Sequence, residues 1–378
     1  MAGLYIHIPF CTKKCNYCNF HFSTRLELKS KLIESIGKEL FMRKEEMNAI
    51  HIETLYFGGG TPSLLSPQEL DFLFRKIEEN YDISQTTEIT LEANPENLSD
   101  EYLTFLKEKT PINRLSIGIQ SFFDEDLKFM NRTHNSKQAE SCIKNAQDKG
   151  FENITIDLIY GGQTTTDERW LTNLDKALTL EIPHISSYAL TVEPKTAFEF
   201  QIRKGKIPPV EEDKQFRHFE LLRKILSENG YIQYEFSNFG KKGFFSRHNT
   251  SYWKNKTYMG IGPSAHSYDG KNKRSWNVSH NMNYLRSLEK DILPAEEETI
   301  SEKDRFNERI MLGLRTLWGI DIRELEKEFS HPIINHFHRE LANPEVKNKI
   351  KITDHILTIN PEFLFLTDGI ISQFFFVD

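Results

Sequence analysis

Leu4-Tyr5-Ile6-His7-Ile8-Pro9-Phe10-Cys11-Thr12-Lys13-Lys14-Cys15-Asn16-Tyr17-Cys18 joins a short apolar run to a polar loop carrying three thiols. Leu4–Ile8 reads as a strand that stops at Pro9, and from about Leu26 to Met47 the apolar spacing becomes that of a helix. The same unit then recurs. Strand Ile52–Phe57 ends in Gly58-Gly59-Gly60-Thr61-Pro62 and precedes a helix starting near Pro67. Strand Glu88–Ala93 precedes helix Glu101–Lys109, and Arg114–Ile119 precedes helical segments Glu125–Met130 and Lys137–Lys149. Asn153–Ile159 leads to helix Asp167–Leu180, and Ile185–Leu190 is the sixth strand.

Alternation of this kind implies an α/β fold with a parallel sheet and crossover helices. Curled, it is a partial TIM-type (β/α)6 barrel over residues 1–235. An open doubly wound sheet is the alternative that periodicity leaves standing. The barrel is favoured because the polar and glycine-rich breaks fall where barrels keep their sites, at the C-terminal ends of strands. These breaks are the Cys loop, Gly58–Pro62, Glu92-Ala93-Asn94-Pro95 and Gln120-Ser121, with Asp157 inside its strand.

Residues 236–300 change character. Between Lys241 and Arg274 there are eight Lys or Arg against one acid, Asp269, interleaved with Phe244, Phe245, Tyr252, Trp253, Tyr258 and Tyr268. Residues 301–378 read as a small α+β module similar in order to a winged helix. It has a helix about Lys303–Leu317, two shorter helices, a hairpin near Lys349–Ile359 and a last helix from Gly369. Its ten basic and thirteen acidic residues favour a structural or docking role over DNA binding.

The whole chain, 378 residues with 48 Lys plus Arg against 55 Asp plus Glu, carries a net charge of −7 and 38% hydrophobic residues. That is enough apolar material for a sizeable core, and it makes generic nucleic-acid binding a poor expectation. No secretory signal and no apolar stretch near the ~20 residues of a membrane span is read, so the expected location is cytoplasmic.

Cys11, Cys15 and Cys18 sit too close together to be a disulfide framework and read as a metal site. Structural zinc is closed and four-coordinate, and only His7 or His21 is nearby to complete it. A cubane [4Fe–4S] cluster on three thiolates leaves one iron open, which suits three cysteines better. Cys142, alone on a helical pattern, reads as a core residue.

The spacing Cys-x3-Cys-x2-Cys, with Tyr17 before the last thiol, resembles the signature of the radical S-adenosylmethionine (SAM) family. Together with Tyr5–Cys11 and Gly58–Pro62 it is similar to one branch, the oxygen-independent coproporphyrinogen III oxidases and the HemW-type heme chaperones. The resemblance covers nearly the whole chain. It implies that the amino and carboxylate groups of SAM chelate the open iron, and that an electron from the cluster cleaves the sulfonium to methionine and a 5′-deoxyadenosyl radical. It implies a reductant such as flavodoxin or ferredoxin. It also implies SAM contacts at Gly59, Gly60, Thr61, Glu92, Gln120, Arg132, Asp157 and Ala189, with Tyr5 and Tyr17 lining the nucleoside. At the glycines, backbone approaches the methionine end because no Cβ intervenes. For the charged positions the alternative is a helix cap or a rim salt bridge, and for the two tyrosines it is a place in the core.

Two features separate the branches. The oxidase has a further cysteine where this chain has Phe20, and an N-terminal extension before a strand that here contains the fifth residue, Tyr5. His248-Asn249-Thr250-Ser251-Tyr252-Trp253 matches the His-Asn-x-x-Tyr-Trp signature of the chaperones, and the Gly-rich Tyr258–Ser267 is similar to theirs. The resemblance therefore implies heme as cargo and a heme-accepting protein as partner, transiently membrane-associated in the case of a respiratory acceptor.

Heme needs a flat apolar or aromatic wall, cations for its two propionates and often an imidazole on iron, and the basic aromatic segment offers all three. His248 is the first candidate ligand, with a buried imidazole hydrogen-bonded to backbone as the equal alternative, and His266 is the weaker candidate. His51, His184 and His218 read as structural. Three other functions compete: coproporphyrinogen oxidation, a zinc-stabilised binding protein, and a single-stranded nucleic-acid surface on the basic segment.

Overall fold

The computed structural model describes residues 2–47 and 51–377. Its main sheet begins with β1 (Ala2–Ile8), β2 (Ile52–Gly59), β3 (Glu88–Ala93), β4 (Arg114–Gln120), β5 (Asn153–Tyr160) and β6 (His184–Ala189), each parallel to the next. The crossovers are α1 (Lys29–Met42), α2 (Pro67–Asn80), α3 (Asp100–Lys109), the pair α4 (Asp124–Phe129) and α5 (Ser136–Asp148), and α6 (Asp167–Thr179). After β6 come α7 (Ala197–Arg203) and α8 (Glu212–Glu228). The expected α/β architecture is therefore present.

The sheet then grows at both edges. β7 (Ile232–Gln233) and β8 (Asn238–Gly240) add antiparallel beyond β6. After α9 (Arg247–Trp253), β9 (Tyr258–Ile261) pairs parallel to β1 on the opposite edge. β10 (His266–Tyr268), β11 (Lys273–Asn277) and β12 (Ala295–Thr299) continue outward antiparallel, with α10 (Asn281–Glu289) intervening, to make twelve strands. The predicted helix at Leu26–Met47 is broken into α1 flanked by short 3-10 turns, because Arg43 leaves the helix to enter a buried network described below.

Helix starts follow the local chemistry. Ser66 and Asn135 cap α2 and α5, and Glu69 and Gln138 reach back in capping boxes. Caps of this kind stabilise by about 1 kcal/mol each.

Strand alternation decides the two faces. Leu4, Ile6, Leu55, Phe57, Ile89, Leu91, Leu115, Ile117, Ile154, Ile156 and Ile185 turn toward the helices and form the main core. The intervening positions are polar, namely Tyr5, Tyr56, Thr90, Glu92, Ser116, Thr155, Asp157 and Ser186. In-register pairs such as Tyr5 with Tyr56, Glu92 with Ser116 and Asp157 with Ser186 keep them on one face. That face lines cavities instead of being filled by aliphatic layers.

A second core, from Phe306 to Phe374, belongs to the C-terminal module. It comprises α11 (Glu302–Leu314), β13 (Ile320–Asp321), α12 (Ile322–Glu328), α13 (His331–Leu341), α14 (Pro344–Lys347), β14 (Ile350–Thr353), β15 (Ile356–Ile359) and α15 (Thr367–Phe374). Three short helices stand where two were expected, and the last helix starts at Thr367 after a 3-10 turn.

Candidate cluster and cofactor site

The Cys loop is held from both sides. Cys11 N–H donates to Ser23 O (3.1 Å) and Ser23 N–H to Pro9 O (2.8 Å), which pinches the loop shut at its base. Asn16 N–H donates to Met130 O (3.0 Å) and its side chain to Phe129 O (2.8 Å), fixing the far side to the end of α4. Asn131 Nδ2 donates to Lys14 O at 2.7 Å. With its backbone so tied, the loop presents Cys11, Cys15 and Cys18, all partly exposed, to one cavity of about 510 Å³.

The same cavity is lined by Tyr17, Gly59, Gly60 and Thr61, and by Glu92, Gln120, Arg132, Asp157 and Ala189. The structure thus brings together residues from β2 to β6 and the Cys loop, at strand C-terminal ends. Thr61 Oγ1 donates to Cys11 Sγ (3.4 Å) and Arg132 Nη1 to Cys15 Sγ (3.5 Å). Such donors favour thiolates and tune a cluster. Burial raises the Cys11 thiol to about 11 and the Cys18 thiol likewise upward, so metal binding would release protons.

Arg132 shows what the cavity lacks. Nη2 donates to Asn94 Oδ1 and Gly118 O, both at 2.7 Å, while Nε is buried with no partner. A buried unsatisfied guanidinium nitrogen marks a place for an acceptor, as a carboxylate-bearing ligand would provide. Glu92 accepts from the Tyr56 hydroxyl (2.8 Å) and Gly59 N–H (3.1 Å), and burial raises its pKa. Burial, then the nearby Glu92 charge, lifts Asp157 to about 7. Gln120 ends β4 in the left-handed region, φ 67°, where a non-glycine residue is strained.

The glycines also serve packing. A Cβ on Gly60 would stand 2.6 Å from Phe10 O, and one on Gly59, φ 110°, would stand 2.6 Å from the His7 ring. The missing side chains let the end of β2 press against the base of the Cys loop.

Two expected site residues lie elsewhere. Tyr5 lines a second cavity of about 560 Å³, with its hydroxyl 3.0 Å from His7 Nδ1. His248 is fully buried and reaches neither cavity. Its Nδ1 is 2.8 Å from Thr54 Oγ1, its Nε2 2.8 Å from the Tyr252 hydroxyl, and its ring stacks on Tyr56 at 4.9 Å. Burial holds its pKa down at about 3. The ring is buried, as in the alternative to a ligand, but its partners are two side chains and not backbone. His184 and His218 are buried and hydrogen-bonded, and His51 pairs with Asp82 at the surface.

The local candidates for a fourth zinc ligand are engaged too. His7 bonds through both ring nitrogens and His21 Nε2 meets Asn281 Oδ1 at 2.7 Å. Among the described residues no group of three His, Cys, Asp or Glu is placed to hold a metal ion, the three thiols included. The donor set and the room beside it fit a cluster spread over three thiols better than one closed tetrahedral ion.

The second cavity adjoins the first, since Phe20, Gly59 and Glu92 line both. Its other walls are Tyr252, Tyr258, Tyr268 and His266 from the aromatic segment, and Glu308, Met311 and Leu312 from α11. The basic segment does not deliver a cationic face. Of its cations only Arg274 lines this cavity, bound to Glu308 at 2.7 Å, while Lys256 pairs with Glu53 and Lys254 lies over Trp318. The α11 wall was not foreseen. Its residues carry no motif and reach the cavity only through the docking of a separate core.

Residues 5–177 match the profile of the Radical SAM superfamily, and residues 300–366 that of the HemN C-terminal domain. The chain is 37% identical over 326 residues to the heme chaperone HemW of Lactococcus lactis, covering 86% of this chain and 84% of that one. It is 33% identical to the heme chaperone HemW of Bacillus subtilis, covering 88% of each. In fold it matches the coproporphyrinogen III oxidase of Escherichia coli, with TM-score 0.85 and 21% identity over 99% of this chain and 90% of the other.

Proposed function

The chain belongs to the HemW heme chaperone family within the radical SAM superfamily, and we propose that it binds a [4Fe–4S] cluster, SAM and one heme and passes the heme to an acceptor protein. The observation that carries this reading is the pair of adjoining cavities. One gathers three thiols with the residues expected to contact SAM, and the other has aromatic walls and a size suited to a large flat ligand.

Cys11, Cys15 and Cys18 would hold the cluster, with Thr61 and Arg132 donating to two of the sulfurs. The vacant Nε of Arg132 would take a carboxylate oxygen of SAM, and Asp157 and Glu92 would accept from its hydroxyls or ammonium. When bound, the cluster and SAM together supply one-electron reduction of a sulfonium; the chain's part is to orient them and exclude water. Exposed Lys13, Lys14, Arg25 and Lys195 around the Cys loop suit an acidic electron carrier such as flavodoxin or ferredoxin. Work in the cytoplasm accords with the chain, in which no described helix is long and apolar enough to cross a membrane. A respiratory acceptor would be met at the membrane surface.

The test is anaerobic reconstitution followed by iron and sulfide analysis, EPR with and without SAM, and hemin titration. A change in the cluster signal on adding SAM and a shifted Soret band with hemin are expected. Conversion of coproporphyrinogen III to protoporphyrinogen IX would replace the chaperone with the oxidase, and one zinc with neither iron nor sulfide would remove both.

A further inference from the structure

Three histidines line the larger cavity, and their bonding separates them. His7 is engaged at both ring nitrogens, and His21 at Nε2. His266 is exposed, and neither of its ring nitrogens meets a hydrogen-bond partner among the described residues. Its ring leans on Trp276 with centroids 6.1 Å apart.

A free imidazole on a mobile loop would mean little, but this one stands on a fixed backbone. Buried Glu39 on α1 accepts from Gly262 N–H (2.9 Å), Asn277 Nδ2 (2.7 Å), the Tyr284 hydroxyl and Arg43 Nη1 (3.2 Å). Arg43 in turn donates to Gly260 O (2.8 Å) and Ser267 Oγ (3.2 Å). Asn277 N–H donates to Ala265 O at 2.9 Å. Both chain neighbours of His266 are therefore pinned from beneath while its side chain is left free, which is how a ligand is preorganised.

The surroundings suit a metalloporphyrin. Tyr252, Tyr258 and Tyr268 give flat walls and Met311 and Leu312 an apolar one, while Arg274, the cation of the lining, is paired with Glu308 at 2.7 Å. We infer that His266 is the axial imidazole that coordinates porphyrin iron in this cavity, a refinement that rests on the heme-chaperone reading. His248 is then a positioning residue, acting through its bond to the Tyr252 hydroxyl. Coordination forms one Fe–N bond from the imidazole lone pair and requires no electron transfer.

The test titrates the full-length protein with hemin and, separately, with metal-free protoporphyrin IX. His266→Ala is expected to lose the Soret and EPR signature of imidazole-ligated ferric iron, to bind hemin about 10- to 100-fold more weakly, and to bind the metal-free porphyrin as before. Added imidazole should restore the signature. His248→Gln should weaken both porphyrins alike, through displaced Tyr252, and keep the iron signature. A wild-type spectrum from His266→Ala, or loss of the imidazole signature in His248→Gln alone, would overturn the assignment while leaving heme binding intact. Failure of the wild type to bind either porphyrin would overturn the chaperone reading with it.

Discussion

The two cavities share a wall and little else. The smaller one is made by strand ends of a single sheet and the loop after β1, so its geometry is set once the parallel ladder forms. The larger one joins β1, the turn before β10 and α11, which has its own core, and it depends on how separately built pieces dock. One is suited to holding a group permanently. The other, with a wall from a distinct module, is suited to taking a ligand up and giving it away.

Four substitutions bear on this contrast. The largest effect is expected from Cys15→Ser, which should abolish cluster assembly by iron and sulfide analysis yet leave hemin binding in place. Simultaneous loss of both would show the cavities to be one site. Glu39→Ala breaks a buried ion pair and strands its donors, and should cost about 3–5 kcal/mol in chemical denaturation. If the contrast holds, any folded fraction keeps its cluster and loses heme affinity.

Arg132→Ala should weaken SAM binding by about 10- to 100-fold, the equivalent of a lost charge-assisted bond, with hemin affinity unmoved in a parallel titration. The smallest effect is a pH dependence. Asp157, with its pKa raised to about 7 when folded, keeps a proton between its unfolded value near ~4 and 7, a window in which the unfolded chain has lost it. Stability should fall as pH rises across that window, and Asp157→Asn should flatten the fall. SAM affinity should rise in the wild type as pH passes 7 and stay level in the variant.

The smaller cavity was largely legible in the sequence because its parts are local. Cysteine spacing, a strand followed by glycines and an acid within a strand each survive as short patterns. The period of two also explains what went astray. Tyr5 and His7 share a face of β1, and that face looks into the neighbouring cavity at Tyr5. His248 stood in a conspicuous motif, but α9 turns it under β1 and β2 against Thr54 and Tyr56. No spacing announces that. Nor does it announce Met311 and Leu312, whose role arises from tertiary docking alone, or that Lys256 and Arg274 of the basic segment are paired with Glu53 and Glu308.

β1 lies between β2 and β9, so one side of the first strand stays unsatisfied until residues 258–261 arrive. During synthesis that naked backbone edge persists until those residues emerge, an invitation to wrong pairing. The thiol loop hangs from the same strand. A cluster held there, as proposed above, would be best inserted late, after residues 258–261 have paired with β1.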